Sequence, residues 1–127
     1  MGRRSRRRSR AEGPAPAAPT TEYADPEGSV LVLRGSLPPR ARQEYARTLA
    51  GEGRVAGGES AREDAWQRAV ELLFERLAVR WTIAGLPLER QDELLGRYRM
   101  ATAEERAWVR DVLREHVAAN FPELQAP

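Results

Sequence analysis

The longest apolar pattern in the chain runs from Trp66 to Ala84, and it constrains the fold more than any other segment. Ser60 and Glu63 have the spacing of an N-terminal capping box, and Gly85 can end a helix. The pattern therefore predicts a helix over about 61–84 at the centre of the core. Its apolar residues recur every three or four positions, as on one helix face: Trp66, Val70, Leu73, Leu77, Trp81 and Ala84.

Three shorter helices are predicted around this one. Proline residues suit the start of a helix near 38–50, and Gly51 suits its end. A second helix is expected from about Pro87 to Arg99. A third is expected near 103–119, because Thr102 and Glu105 form another capping box. The connections between these helices are short, which favours antiparallel neighbours in a small bundle.

One segment has the character of a β-strand. Residues 30–33 read Val-Leu-Val-Leu between two glycines, which is typical of a short buried strand. A strand needs a partner, and the only weak internal candidate lies around residues 54–56. Three alternatives are open: a small hairpin, an edge completed by another chain, or an extended segment packed on helices.

The fold class predicted from these elements is mainly α. We expect a small bundle of about four helices with one short β segment and a disordered, arginine-rich N-terminal arm. Residues 1–28 are assigned to the basic arm and a Pro/Ala linker, because they carry almost no apolar area to bury. Residues 29–121 form the helical domain, and residues 122–127 form a tail.

The arm makes the net charge of the chain positive. It holds six arginines: Arg3, Arg4, Arg6, Arg7, Arg8 and Arg10. The whole chain has 21 basic and 19 acidic residues, a net charge of +2. Without those six arginines, 15 basic residues face 19 acidic ones, so the remaining charge is −4. The arm is either a solvated tail or an anchor that could contact about six phosphates of DNA or RNA.

Several kinds of chemistry are excluded or disfavoured by composition. The chain has no cysteine, so disulfides, thiol catalysis and cysteine-based zinc sites cannot occur. All of its basic residues besides one histidine are arginines, which excludes a lysine-containing phosphate loop. The single histidine, His116, is expected in the last turn of its helix, where the helix dipole favours it. We expect no enzymatic activity, cofactor, metal site or membrane span, and a cytoplasmic location.

The long apolar helix suggests a binding role. Its residues Leu72–Ile83 are apolar nearly all round, and a body of about 100 residues has limited room to bury such a surface. The surplus would go to a protein partner or to a second copy of the chain. The residues expected to form this partner-binding surface are Trp66, Leu73, Leu77 and Trp81.

Two segments carry a resemblance to a known family. Residues 77–88 read Leu-Ala-Val-Arg-Trp-Thr-Ile-Ala-Gly-Leu-Pro-Leu, and residues 31–37 read Leu-Val-Leu-Arg-Gly-Ser-Leu. This layout resembles small assembly proteins of actinobacterial tailed phages and prophages, in particular tail-assembly chaperones. The resemblance covers about residues 29–121 and implies a non-enzymatic protein that coats a long, apolar helical phage protein. The arginine arm departs from that family and favours the alternative of a nucleic-acid-associated protein.

Overall fold

The computed structural model describes residues 19–51 and 59–124, with the side chains of residues 19–51 and 62–124. In this part of the chain there are four strands and four helices. In chain order they are β1 (Thr20–Ala24), β2 (Val30–Arg34), α1 (Pro39–Leu49), α2 (Glu59–Leu77), β3 (Ala78–Ile83), β4 (Leu86–Leu88), α3 (Gln91–Arg99) and α4 (Ala103–Asn120).

The four strands form one antiparallel sheet in the order β1-β2-β3-β4. The predicted fold class, a mainly α bundle with one short β segment, is therefore wrong. The protein has an α/β fold in which helices pack against a four-stranded sheet. The predicted strand at Val30–Leu33 is confirmed as β2, but its partners are β1 and β3. The weak candidate partner around residues 54–56 lies outside the described residues.

The helix predicted over 61–84 is wrong beyond Leu77, where the chain continues as a strand. Helix α2 ends at Leu77, and β3 begins at Ala78 without an intervening loop. The residues from Val79 to Ile83 are mostly β-branched or aromatic, and such side chains pack well on a pleated surface. Trp81 lies opposite Leu31 of β2 and Ala78 lies opposite Leu33, with an irregularity in the register between these two pairs. The apolar pattern thus combines a helical period with a strand period.

A tight turn joins β3 to β4. Its two central residues, Ala84 and Gly85, both have positive φ angles, 52° and 80°. Two successive positive φ angles are the signature of the type I′ turn, whose twist matches that of antiparallel strands. The turn places Leu86 opposite Ile83 and Pro87 opposite Thr82. Residues 86–88 therefore belong to the sheet, and the helix predicted from Pro87 begins only at Gln91.

Strand β1 lies inside the segment 1–28 that was predicted to be disordered. It pairs with β2 along its whole length, from Thr20 opposite Arg34 to Ala24 opposite Val30. The turn between the two strands is held by Asp25, whose Oδ1 accepts hydrogen bonds from two backbone amides, at 2.8 and 2.9 Å. The residues of β1 bury little apolar surface of their own, and the strand is held by its pairing with the apolar β2. The prediction for residues 1–18 lies outside the described part.

The helices cover one face of the sheet, and the core lies between the two layers. Leu31 and Leu33 of β2 and Trp81 of β3 point into it and are almost fully buried. Val32 points to the opposite face and does not join this cluster. Apart from the buried His116 of α4, the helical side of the core is apolar, and its most buried large apolar side chains are Tyr45, Leu73, Phe74, Leu77, Val109, Leu113, Val117 and Phe121.

The helices α1 and α4 agree with the predictions to within one residue at each end. The capping box of α4 is confirmed: the Thr102 side chain accepts a hydrogen bond from the Glu105 amide, and the Glu105 side chain accepts one from the Thr102 amide. Helix α4 therefore has a fixed starting point. That fixed start positions the arginine side chains of its first three turns.

Candidate anion-binding site

The predicted partner-binding surface is not at the surface. Leu73, Leu77 and Trp81 are at most 1% exposed, so a partner could contact them only if the fold opened. The Trp81 ring packs edge-on against Phe74, with the ring centroids 5.7 Å apart. These three residues are therefore corrected from partner contacts to core residues. Of the four, Trp66 alone remains half-exposed.

The arm arginines predicted to contact nucleic acid, Arg3 to Arg10, lie outside the described residues. The folded body nevertheless carries a basic cleft that the sequence patterns did not single out. This cleft lies between α2, α3 and α4 and encloses about 320 Å³. Its lining residues are Gln67, Val70 and Glu71 of α2, Tyr98 and Arg99 of α3, and Arg106 and Arg110 of α4. We call it the arginine cleft.

Two of its arginines stand one turn apart on α4. Arg106 donates a hydrogen bond from Nη1 to the Ala101 carbonyl over 2.7 Å, which holds its side chain toward the start of the helix. The guanidinium carbon of Arg110 lies 5.2 Å from the centre of the Trp66 ring, in a cation–π contact. Neither guanidinium has a carboxylate partner in the described part of the chain, so both charges are available to a ligand.

The third arginine carries its own counter-ion. Arg99 donates from Nε and Nη2 to Oε1 of Glu71, at 3.2 and 2.9 Å. This pairing raises the pKa of Arg99 above its ordinary value, chiefly through the hydrogen bond to Glu71. Three guanidinium groups and one carboxylate line the arginine cleft, which gives its lining a net charge of +2.

Tyr98 forms part of the cleft wall. Its ring is 5% exposed and stacks on Phe74, with centroids 5.1 Å apart. Its hydroxyl makes no hydrogen bond to any of the described residues, although it lies near the charges of Arg110, Arg106 and Glu71. Burial, the largest effect, raises the pKa of Tyr98, while the two arginines oppose the rise. The hydroxyl therefore keeps its proton at neutral pH and can donate a hydrogen bond to a ligand.

A sequence signal for this site exists in the spacing of α4. Arg106, Arg110 and Arg114 follow one another at intervals of four residues, and this places them along one side of a helix. Like charges at that spacing destabilise an isolated helix. Arg106 and Arg110 have no acidic residue three or four positions away. The contribution of Glu71 and Arg99 depends on how α2 and α3 pack, which the sequence pattern does not contain.

Comparison with known proteins identifies no matching family model, no matching curated protein and no matching solved structure. The resemblance to phage tail-assembly chaperones stays a prediction. Within residues 19–51 and 59–124, no helix is long and apolar enough to cross a membrane. The same residues contain no group of three or more histidine, aspartate or glutamate side chains placed to hold a metal ion.

Proposed function

We propose that this chain is a non-enzymatic, cytoplasmic protein that binds nucleic acid through phosphate groups. The arginine cleft would be the binding site of its folded body. One observation carries the proposal: the guanidinium groups of Arg106 and Arg110 line a cavity without a carboxylate partner in the described part of the chain. Such groups are the usual partners of phosphate oxygens, because the planar guanidinium can donate two parallel hydrogen bonds.

The electrostatic repulsion between the two cleft arginines that lack a carboxylate partner among the described residues supports the proposal. Arg106 and Arg110 repel each other at a spacing of four residues, which costs a few tenths of a kcal/mol in an isolated helix. Elsewhere in the described part, Arg42, Arg76, Arg97 and Arg114 are each paired with a carboxylate. An anionic ligand would offset the repulsion in the cleft in the way that the paired carboxylates do elsewhere.

The test is a titration of a single-stranded DNA oligonucleotide that carries a 5′-phosphate and a 3′ fluorophore, followed by anisotropy. The full-length protein is compared with the variant Arg106→Gln/Arg110→Gln. Each charge-assisted hydrogen bond is worth about 1.5–3 kcal/mol, so we expect the double variant to bind about tenfold more weakly or worse. Equal affinity of wild type and variant would contradict the proposal.

A matched control removes the same charge elsewhere. Arg40 and Arg90 are exposed and do not line the cleft. The variant Arg40→Gln/Arg90→Gln has the same net charge as the cleft variant. Its affinity should therefore stay within about twofold of wild type. A loss equal to that of the cleft variant would show that only the overall charge of the protein matters.

The arm provides the second part of the proposal. Its six arginines would add non-specific attraction to the phosphate backbone, with a log–log salt slope of about −4 for six contacts to a single strand. Replacing all six by glutamine in the full-length chain should reduce the salt slope by about that amount. An unchanged slope would identify the arm as a solvated tail and leave the cleft as the proposed site.

A role in binding a protein partner, as in phage tail assembly, is the second candidate. Exposed apolar side chains favour it: Leu86 in β4 is 70% exposed, and Met100 after α3 is 84% exposed. The test is co-expression with the longest helical protein encoded beside this chain. If wild type but not Leu86→Arg raises the soluble yield of that protein, the partner hypothesis gains support. If neither wild type nor Leu86→Arg changes the soluble yield, the partner hypothesis is contradicted.

A further inference from the structure

We infer that the arginine cleft takes a terminal phosphate monoester, such as the 5′-phosphate of a single strand, rather than the phosphodiesters along its backbone. This inference rests on the proposed function and specifies the group that the site recognises. It follows from the shape of the cleft, from its charge and from an unpartnered hydroxyl in its wall.

The shape of the cleft favours an end group. Helices α2, α3 and α4 all contribute to its lining, so it is bounded on three sides. A volume of about 320 Å³ is at the small end of the range for ligand pockets. A backbone phosphate carries a nucleoside on either side, and the cleft would have to leave room for both. A terminal phosphate needs room for only one connection.

The charge of the cleft matches a dianion. Its three arginines and one glutamate give a net charge of +2. A phosphate monoester has a second pKa near 6, so it carries a charge of nearly −2 at neutral pH. A phosphodiester carries a single negative charge, and it would leave one guanidinium of the cleft uncompensated.

The hydroxyl of Tyr98 supplies a further donor. The side chain is 95% buried, its hydroxyl has no hydrogen-bond partner among the described residues, and it belongs to the cleft lining. A phosphate monoester has three terminal oxygens that accept hydrogen bonds. Arg106, Arg110 and Tyr98 together can donate to all three. A phosphodiester offers only two such oxygens, so the three donors would have to share them.

The test compares two single-stranded oligonucleotides of identical sequence, one with a 5′-phosphate and one with a 5′-hydroxyl, both labelled at the 3′ end. With full-length protein at moderate salt, we expect the 5′-phosphate to improve the affinity about tenfold. Arg106→Gln/Arg110→Gln should abolish this improvement, whereas Arg40→Gln/Arg90→Gln should retain it. Tyr98→Phe should reduce it several-fold, with the thermal midpoint measured beside it to establish that the variant is folded.

The outcomes separate this inference from the proposed function. If the cleft variant weakens both oligonucleotides equally and wild type does not distinguish them, the cleft binds backbone phosphates and the inference is overturned. If the cleft variant weakens neither, the proposed function fails as well. If Tyr98→Phe fails to fold, the affinities of wild type and of the two double arginine variants for the two oligonucleotides still show whether the cleft recognises the 5′-phosphate.

A competition experiment identifies the source of the phosphate. Adenosine 5′-monophosphate and inorganic phosphate are each titrated against the bound, 5′-phosphorylated oligonucleotide. Displacement only at concentrations far above that of unlabelled oligonucleotide supports a nucleic-acid end. Displacement by the mononucleotide at an equal concentration supports the monoester site but assigns it to a free nucleotide, and this would overturn the proposed nucleic-acid function.

Discussion

The hydroxyl of Tyr23 in β1 donates a hydrogen bond to Nδ1 of His116 in α4, over 2.8 Å. On the other side of the imidazole, Nε2 lies 2.6 Å from the carbonyl oxygen of Arg34. A carbonyl can only accept, so Nε2 carries a proton and Nδ1 is the acceptor. The ring is fully buried and ties the edge of the sheet to the last helix. This replaces the interpretation of His116 as a residue held mainly by the helix dipole.

Removing the hydroxyl of Tyr23 should therefore destabilise the fold. In Tyr23→Phe, Nδ1 of His116 keeps only the longer contact to the Asn120 amide nitrogen, at 3.3 Å. We expect the free energy of unfolding to fall by about 1–2 kcal/mol, the cost of leaving a buried acceptor poorly satisfied. Urea denaturation measures it. Thr21→Val, an exposed change in the same strand, should stay within about 0.5 kcal/mol. Equal stability of the two variants would contradict this role of Tyr23.

The β3–β4 turn offers a stabilising substitution. Ala84 has a φ of 52°, a left-handed conformation that costs a residue with a side chain about 1–2 kcal/mol. Asparagine tolerates this conformation, and Asn-Gly is a preferred pair in type I′ turns. We expect Ala84→Asn to raise the free energy of unfolding by about 0.5–1 kcal/mol. A loss of stability on thermal denaturation would contradict the turn assignment.

Gly85 provides the opposite test of the same turn. Its φ is 80°, and a Cβ atom added there would meet no other atom within 4 Å. Any cost of Gly85→Ala therefore comes from the backbone conformation and not from a clash. We expect a loss of about 1 kcal/mol in the same thermal denaturation experiment. An unchanged midpoint would show that the turn can adopt another conformation.

The tyrosines should control stability at alkaline pH. Burial raises the pKa of Tyr45 from 10.0 to about 12, and burial also raises the pKa values of Tyr23 and Tyr98. The folded state therefore holds these protons more tightly than the unfolded state does. The contribution of Tyr45 is complete below pH 10 and is lost as the pH rises from 10 to 12, and the contributions of Tyr23 and Tyr98 are lost in the same direction. The chain has no cysteine, and its basic side chains besides His116 are arginines, so the tyrosines dominate this window.

The variant Tyr45→Phe tests this pH dependence. Two pKa units correspond to about 2–3 kcal/mol, so wild type should lose at least that much stability between pH 9 and pH 12. Tyr45→Phe should lose correspondingly less over the same range, measured by urea denaturation at each pH. Identical slopes for the two proteins would show that Tyr45 does not titrate with unfolding.

The predictions made from the sequence succeeded where local chemistry decides the structure. The capping box at Thr102 fixes the start of α4 within the chain segment itself, and residues 30–33 form a strand because they are branched and bounded by glycines. The prediction failed at Leu77–Ala78, where one continuous apolar pattern serves a helix and then a strand. Whether Trp81 extends a helix or pairs with Leu31 depends on β2, which lies far away in sequence.

Only one wall of the candidate site could be predicted from the sequence. The spacing of Arg106 and Arg110 is visible in the sequence and places both on one side of a helix. The opposite wall of the cleft cannot be read from the sequence, because Glu71, Tyr98 and Arg99 reach the cleft through the packing of α2 and α3 against α4. Trp66, predicted to contact a partner, lies under the guanidinium of Arg110, and its role in partner binding stays a prediction.

Glu71 should limit the affinity of the cleft, since its carboxylate occupies Arg99 and repels an incoming phosphate. Glu71→Gln raises the net charge of the lining from +2 to +3. We expect the 5′-phosphorylated oligonucleotide to bind about threefold to tenfold more tightly, a change of about 0.6–1.4 kcal/mol. The ion pair that is lost is partly exposed, so stability should fall by no more than about 1 kcal/mol.

Glu44→Gln is the matched control for this prediction. It removes the same charge and breaks an ion pair of the same length, 2.9 Å, between Glu44 and Arg76, which do not line the cleft. Both variants have the same net charge, so a general electrostatic effect would strengthen binding equally in the two. Tighter binding confined to Glu71→Gln would locate the phosphate beside Arg99. An equal gain would mean that the anion is attracted by the protein as a whole and not by the arginine cleft.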